Sequence, residues 1–168
     1  VKASSINHVL LPHAHIDHCG YVPKLVKEGF KGRIFCTPPT AEIAEIALYD
    51  SARLQEADAA YKKKRHKKER RKGPHPEVPL YTEKDVRKVY HRFKTVSHKK
   101  VVKITNNIKA IFHDAGHILG SSMIELRITE GGKERSCVFS GDIGRWGRPI
   151  LRDPTAIQGA DFLLMETT

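Results

Sequence analysis

Three histidines and one aspartate lie within six residues near the start of the chain, as His13-Ala-His15-Ile-Asp17-His18. Imidazole and carboxylate donors without a thiolate are a ligand set for zinc, with manganese or iron as substitutes, and they suit a hydrolytic site with an open coordination position. Residues two apart at a strand end point the same way, so His13 and His15 can share one ion. Asp17 and His18, placed just beyond, face a second ion. Unrelated surface histidines are the alternative, which four potential donors at this spacing disfavour.

Two later segments add one potential ligand each, and glycines flank both of them. His117 lies in Asp114-Ala-Gly-His-Ile-Leu-Gly-Ser-Ser122, and Asp142 lies in Ser140-Gly-Asp-Ile-Gly144. Each segment follows an apolar stretch that reads as a strand, and glycine lets the backbone turn sharply where a ligand must face a shared site. Either segment alone is weak evidence because aspartate turns are common. Together with the first motif they predict one site.

Neighbouring residues leave alternatives open. Asp114 fits either a hydrogen-bond partner of a ligand imidazole or a turn-forming aspartate. Ser121 and Ser122 fit either contacts to a substrate phosphate or turn serines. Cys19 is expected to be a small buried residue under the site rather than a ligand.

The elements that must position these residues alternate between strands and helices. Strands are expected at residues 6–11, 33–36, 101–105, 108–113, 122–128, 135–140 and 161–165, and helices at 19–28 and 38–60. Thr82-Glu-Lys-Asp85 has the form of a capping box, with an apolar helix face of Val86, Val89, Tyr90 and Phe93 behind it. A Gly/Pro cluster at residues 73–76 is expected to break any preceding helix. The interleaving predicts a layered α/β architecture.

The ligand motifs, in this order and approximate spacing, resemble those of the metallo-β-lactamase fold hydrolases. Further motifs resemble the β-CASP branch of that family, which contains RNA-processing nucleases: Thr37-Pro-Pro-Thr40, Gly141-Asp-Ile-Gly144 with Gly147-Arg-Pro149, and the closing Met-Glu-Thr-Thr168. The resemblance implies an α/β metallo-β-lactamase fold, an αββα sandwich with mixed and antiparallel strands and flanking helices.

The resemblance also assigns roles to the candidate residues. It implies a zinc-dependent hydrolase of RNA phosphodiester bonds, with His13, His15 and His117 on one zinc, Asp17 and His18 on the other, and Asp142 bridging them. Asp17 would also orient the attacking water. Glu166 matches an acidic residue that partners a catalytic histidine. Whether cleavage is endonucleolytic or exonucleolytic stays open.

The chain also departs from the family pattern. Val1 begins downstream of an early aspartate, and the chain ends where the β-CASP domain would start, so residues 1–168 are expected to be a partial, incomplete metallo-β-lactamase domain without the first strands, the β-CASP domain and the C-terminal part. The second zinc is therefore expected to bind weakly or not at all, and this polypeptide alone to have very low activity.

Most of the net charge of +11 comes from one basic run. Residues 62–72 carry nine lysines or arginines and one glutamate, net +8, which leaves +3 for the rest of the chain. We expect residues 61–80 to form an exposed, flexible insertion, and the run either contacts RNA phosphates without sequence preference or is a solvated loop. Its candidate RNA-binding residues are Lys62, Lys63, Lys64, Arg65, Lys67, Lys68, Arg70, Arg71 and Lys72.

Composition and cysteine usage narrow the setting. No apolar run approaches the ~20 residues that a membrane span requires, and three unpaired cysteines favour a reducing, cytoplasmic location. The expected partners are single-stranded RNA and either a second copy of the chain or a processing complex. Two alternatives are a thioester or lactone hydrolase, not expected to carry the Glu166-Thr-Thr168 ending, and a catalytically inactive RNA-binding homologue, which typically loses zinc ligands that this chain keeps.

Overall fold

The structure is a computed structural model, and it describes residues 1–73 and 77–167 of the chain. Residues 74–76 of the Gly/Pro cluster and Thr168 of the closing motif lie outside the described residues. Within these described residues, two sheets and four α-helices form the fold. The helices are α1 (Ile16–Cys19), α2 (Val22–Lys27), α3 (Pro38–Glu69) and α4 (Glu83–Tyr90).

The first sheet is short and parallel. Its strands are β1 (His8–Leu10), β2 (Arg33–Cys36) and β3 (Phe93–Thr95), in that spatial order. The second sheet is antiparallel through its first four strands, and its last strand runs parallel to the fourth. Its strands are β4 (Val101–Lys103), β5 (Ile108–Asp114), β6 (Ser122–Glu130), β7 (Lys133–Phe139) and β8 (Phe162–Leu164). The predicted mixture of parallel and antiparallel strands with flanking helices is confirmed.

The core lies on both faces of the first sheet. On one face, Ile34 and Cys36 of β2 pack with the apolar sides of the helices, including Leu48 of α3 and Val86 of α4. On the other face, Phe35 packs against the second sheet, which contributes Ala110, Phe112 and Ile124. Alternate residues of β2 therefore face opposite layers, as the period of a strand requires. Within the described residues, the molecule stacks a helical layer, a sheet and a second sheet.

Helix α3 is longer than predicted. Thr37 is its N-cap and Pro38 and Pro39 open it, as expected, but the helix ends at Glu69 rather than Ala60. The prediction that 61–80 forms a loop insertion was therefore wrong for its first nine residues. Lysine, arginine and glutamate are good helix formers, and the i,i+4 ion pairs Lys62–Asp58 and Arg65–Glu69 add to the stability of the helix.

The returning segment is fastened to α3 by side chains. His66 is buried and pairs through Nδ1 with Glu77 Oε1. The Leu80 amide donates to Gln55 Oε1 at 3.1 Å, and Tyr81 Oη donates to Ser51 Oγ at 2.9 Å. The chain therefore runs back along the helix instead of leaving it. The part of the segment at 77–80 has no regular secondary structure.

Two other boundaries also differ from the sequence prediction. The single helix expected over 19–28 is two short helices, α1 and α2, and α1 begins before it and includes Asp17 and His18. Phe93, assigned to the helix of the capping box, begins strand β3 and pairs with Ile34. The capping box itself is confirmed, with Thr82 and Asp85 exchanging hydrogen bonds. Within the described residues, no helix is long and apolar enough to cross a membrane.

Candidate metal centre

The first motif follows strand β1 and runs into helix α1. His13 lies in the connecting loop, His15 is the N-cap of α1, and Asp17 and His18 lie within that helix. His13 is only 1% exposed, and neither of its ring nitrogens has a hydrogen-bond partner within the described residues. Burying a polar side chain without a hydrogen-bond partner costs free energy. A metal ion bound to the imidazole of His13 would offset that cost.

The loop that carries His117 joins β5 to β6 and is tied down by hydroxyl groups. Ser121 Oγ accepts hydrogen bonds from the amides of His117 at 3.0 Å and Ile118 at 3.2 Å. The carbonyl oxygen of Gly120 lies 2.7 Å from Thr37 Oγ1 and 3.0 Å from Thr40 Oγ1. Ser121 is therefore a turn serine with a defined structural task. The motif Thr37-Pro-Pro-Thr40 holds the loop of His117 through the N-terminus of α3.

Asp142 sits in the turn after β7, directly against the loop of His117. The amide of Gly144 donates to the carbonyl oxygen of Ala115 at 2.8 Å. A Cβ atom on Gly144 would overlap the carbonyl oxygen of Gly116, so only glycine lets the two turns approach this closely. The glycine flanks that the sequence analysis singled out are what bring His117 and Asp142 together.

The predicted ligands converge into a first cluster. Four donor atoms, all within 4.8 Å of one another, belong to His13, His15, His117 and Asp142. Individual separations are 3.1 Å between His15 Nδ1 and His117 Nε2, 3.2 Å between His117 Nε2 and Asp142 Oδ2, and 3.5 Å between His13 Nε2 and Asp142 Oδ2. A tetrahedral zinc with bonds of about 2.1 Å separates its donors by about 3.4 Å. The cluster fits that geometry.

A second cluster shares Asp142 and contains His18 and Glu166. His18 Nε2 lies 3.2 Å from Asp142 Oδ1, so the two oxygens of Asp142 face different clusters. Glu166 follows β8, where its amide donates to Ser140 Oγ at 2.9 Å and fixes the segment beside Asp142. Glu166, predicted as a partner of a catalytic histidine, thus lies among the candidate ligands.

Asp17 adjoins the second cluster but is not one of its three residues. Its side chain is 72% exposed, and its Oδ2 lies 3.5 Å from His18 Nε2. The structure therefore places Asp17 beside the second cluster, on the open side of the site. An adjoining cleft of about 220 Å³ is lined by residues that include His117, Asp142 and Glu166.

Burial sets the protonation of the histidines. Burial, with a smaller contribution from the neighbouring His18 and against the opposing effect of Asp142, lowers the pKa of His13 from 6.5 to about 4. Burial also lowers the pKa of His117, while Asp142 opposes it. Both imidazoles are therefore neutral near pH 7, which is the form that binds metal.

The cysteines play no part in this centre. Burial raises the pKa of Cys19 to about 11, and its thiol donates to the carbonyl oxygen of Ala14 at 3.3 Å. Burial raises the pKa of Cys36 to about 12. Both thiols are protonated at neutral pH, which does not suit a metal ligand. The expectation that Cys19 is a buried residue under the site is confirmed by its full burial.

The role of His98 is not predicted by the sequence. Its Nδ1 lies 3.3 Å from Asp114 Oδ1 and its Nε2 lies 3.0 Å from Ser122 Oγ. Ser122 also donates to the carbonyl oxygen of Gly120 at 3.1 Å, so this chain of polar contacts supports the loop of His117 from its far side. Asp114 contacts His98 here, and Ser122 is 1% exposed, which rules out contact with substrate. The contacts of His98 with β5 and β6 join residues far apart in the sequence, so no local sequence pattern predicts them.

The fold and the convergent histidines define a class of protein. A family model described as a metallo-beta-lactamase superfamily domain matches residues 2–135. The chain belongs to the metallo-β-lactamase superfamily, as its motifs predicted, and the resemblance to the nuclease branch of that family is confirmed by the relatives that follow.

Individual relatives match almost the whole chain. It is 31% identical over 170 residues to transcription termination factor FttA of Cenarchaeum symbiosum, covering 100% of this chain and 23% of that protein. It is 28% identical to ribonuclease TTHA0252 of Thermus thermophilus (97% and 32% covered) and 31% identical to an RNase J-like protein of Methanocaldococcus jannaschii (100% and 33%). The chain thus spans between 23% and 33% of the length of these relatives. Among solved structures, the Rm3 metallo-beta-lactamase aligns with a TM-score of 0.48 at 16% identity, over 89% of this chain and 46% of that one.

Proposed function

We propose that this chain carries the metal-binding part of an enzyme that hydrolyses phosphodiester bonds in RNA. The observation that carries the proposal is the first cluster. Three of its donor separations, 3.1, 3.2 and 3.5 Å, are close to those expected around a tetrahedral ion, and His13 is buried with no other partner within the described residues. The retention of all the predicted ligands weighs against a catalytically inactive homologue.

Zinc is the ion that we assign to this cluster. Imidazole and carboxylate donors without a thiolate suit zinc, and manganese or iron can take the same donors. His13, His15 and His117 would hold the ion as neutral ligands, with Asp142 Oδ2 as the fourth donor. His13 is buried, and hydroxyl contacts hold the backbone of the loop that carries His117.

A second ion would use the other oxygen of Asp142. His18 Nε2, 3.2 Å from Asp142 Oδ1, and the carboxylate of Glu166 supply the remaining donors. We expect this ion to bind more weakly than the first because it has three protein donors rather than four, and none of the three is fully buried, whereas His13 of the first cluster is. The sequence motif predicts Asp17 as a ligand of this ion, but we propose that Asp17 transfers a proton instead.

The residues divide the chemistry between them. A divalent ion bound here supplies a Lewis acid that polarises the phosphodiester and makes water a better nucleophile near neutral pH. Asp17, exposed beside His18, accepts a proton from the attacking water and orients it. Asp142 holds both clusters in register through its two carboxylate oxygens. The adjoining cleft lined by His117 and Glu166 admits the phosphodiester.

RNA is the proposed substrate because of the relatives. Two of them are named ribonuclease and RNase J-like protein, and a third is named a transcription termination factor. We place the protein in the cytoplasm on the same ground, and on the free state of its three cysteines. A self-associated dimer or a processing complex remains the expected form of assembly.

The test is cleavage of a labelled single-stranded RNA by the full-length protein, before and after removal of metal by a chelator, and after zinc or manganese is restored. A thioester and a lactone are assayed in parallel. The proposal predicts RNA cleavage that disappears with the metal and returns with it. Turnover of the thioester or lactone with no RNA cleavage would instead assign the site to the other hydrolase class.

A further inference from the structure

The C-terminal quarter of α3 presents a strip of lysines without ion-pair partners. Over residues 62–69 the helix carries both paired and unpaired cations, and α3 is a continuous helix through Glu69. Lys62 pairs with Asp58 at 2.5 Å, and Arg65 pairs with Glu69 at 3.9 Å. Four exposed lysines make no salt bridge within residues 1–73 and 77–167. We call them the lysine strip: Lys63, Lys64, Lys67 and Lys68.

Helix geometry places the lysine strip on one side. At 100° per residue, Lys64 and Lys68 point almost directly away from the buried His66, and Lys63 and Lys67 lie beside them. The paired Lys62, Arg65 and Glu69 fall on the other flank. The unpaired charges are therefore contiguous, and no acidic side chain among the described residues pairs with them.

The strip is also held in place. His66 pairs with Glu77, and a Cβ on Gly73 would overlap the imidazole of His66, so the returning chain packs against the base of the strip. Arg70 then ends the helix with a left-handed backbone at φ 51°. A preorganised set of cations loses less conformational freedom on binding than a flexible tail does.

We propose that the lysine strip binds the phosphate backbone of the RNA that the metal centre cleaves, at a point remote from that centre. Only the identity of the bound polyanion, the RNA substrate, rests on the proposed function. An anionic membrane surface fits less well, because the apolar side of α3, including Leu48 and Ala52, is packed into the core and is not available for insertion.

The distance between the lysine strip and the metal centre sets a minimum length for an RNA that contacts both. Thr37, whose hydroxyl contacts the loop of His117, is 26 residues before Lys63 on the same helix, or roughly 40 Å at 1.5 Å per residue. A single strand with stacked bases rises about 3.4 Å per nucleotide, so it needs about 12 nucleotides to span both. Shorter RNA reaches the metal centre without touching the strip.

The experiment measures affinity for a hydrolysis-resistant phosphorothioate RNA of about 24 nucleotides and one of about 6, as a function of salt. The test variant replaces the lysine strip by glutamine, which keeps good helix propensity. The matched control makes the same change at four exposed lysines elsewhere, Lys31, Lys84, Lys103 and Lys133. Circular dichroism checks that both variants keep the helix content of the wild type.

The strip variant should bind the long RNA roughly 100-fold more weakly at about 0.1 M salt, with a log–log salt slope shallower by about 2.8, or 0.7 per lost phosphate contact. The short RNA should bind the strip variant and the wild type equally. An unchanged slope, an equal loss in the control, or an equal loss with the short RNA would overturn the proposal. So would tighter binding of the wild type to an acidic peptide or to anionic vesicles than to the long RNA. If no RNA is ever cleaved but the slopes differ as stated, the strip proposal stands and the proposed activity fails.

Discussion

The hydroxyl oxygen of Thr37 lies 2.7 Å from the carbonyl oxygen of Gly120, across 83 residues of sequence. Thr37 is the N-cap of the long helix α3, and Gly120 belongs to the loop that holds His117. This contact joins the helical layer to the metal centre, and it explains why a threonine at an N-cap matters beyond the helix that it caps.

Replacing Thr37 by valine should therefore weaken both stability and metal binding. The change keeps the shape but removes the buried hydroxyl, leaving the Gly120 carbonyl with its contacts from Thr40 and Ser122. We expect the free energy of unfolding to fall by about 1–2 kcal/mol, as for the loss of an N-cap or a buried hydrogen bond. Thr37→Ser keeps the hydroxyl and is the control. Urea unfolding with and without zinc makes the measurement, and equal stability of the valine and serine variants would refute the assignment.

Gly144→Ala should disrupt the metal centre itself. A Cβ at this position overlaps the backbone carbonyl of Gly116, so the turn of Asp142 must move away from the loop of His117. Gly131→Ala is the comparison, because a Cβ there meets nothing within 4 Å. We expect Gly144→Ala to weaken zinc affinity by at least tenfold and Gly131→Ala to leave it unchanged. Titration against a chromogenic chelator distinguishes them, and equal affinities would show that the two turns do not need this contact.

The metal-free protein should lose stability as the pH falls. His13 has a pKa of about 4 in the fold against 6.5 when unfolded, so the unfolded state binds more protons between these values. Stability should accordingly rise with pH from 4 to 6.5, and the difference between the two pKa values corresponds to about 3 kcal/mol. Urea unfolding of the wild type beside His13→Asn gives this contribution by difference. A difference that does not vary with pH would contradict the origin of the shift.

Substitutions of Glu166 and Asp17 should have different effects on zinc binding. Glu166→Gln removes a charged donor from the second cluster, so the weaker of two zinc-binding phases should lose at least tenfold in affinity while the tighter phase is kept. Asp17→Asn should leave both phases intact, since its carboxylate belongs to neither cluster. The exposed Glu134→Gln serves as the control for loss of charge alone. The reverse pattern, with the weaker phase lost in Asp17→Asn, would return Asp17 to the ligand set.

Sequence reasoning found the metal centre because its signals are local. His13, His15 and His18 lie within six residues, and the glycines beside His117 and Asp142 mark the turns that the structure uses. Period-two apolar patterns likewise predicted strands β5, β6 and β7. In each case neighbouring residues in the sequence contain the ligand motif, the turn glycines or the strand pattern.

The features that the sequence did not predict depend on contacts between distant parts of the chain. The extension of α3 past Ala60 depends on His66 packing against a segment that returns later in the chain, which a lysine-rich pattern does not reveal. Strand β3 has three residues with little alternation and forms only because Ile34 of β2 lies beside Phe93. The role of His98 also depends on partners in β5 and β6. Tertiary contacts, rather than local propensity, decide these features.

The central claim is most directly tested by the rate at which the full-length protein cleaves a labelled RNA, wild type beside Asp17→Asn, with the metal content of both verified as equal. Proton transfer by a positioned carboxylate contributes about 10²- to 10⁴-fold, so the variant should cleave at least about 100 times more slowly. Equal cleavage by the two proteins would contradict the mechanism.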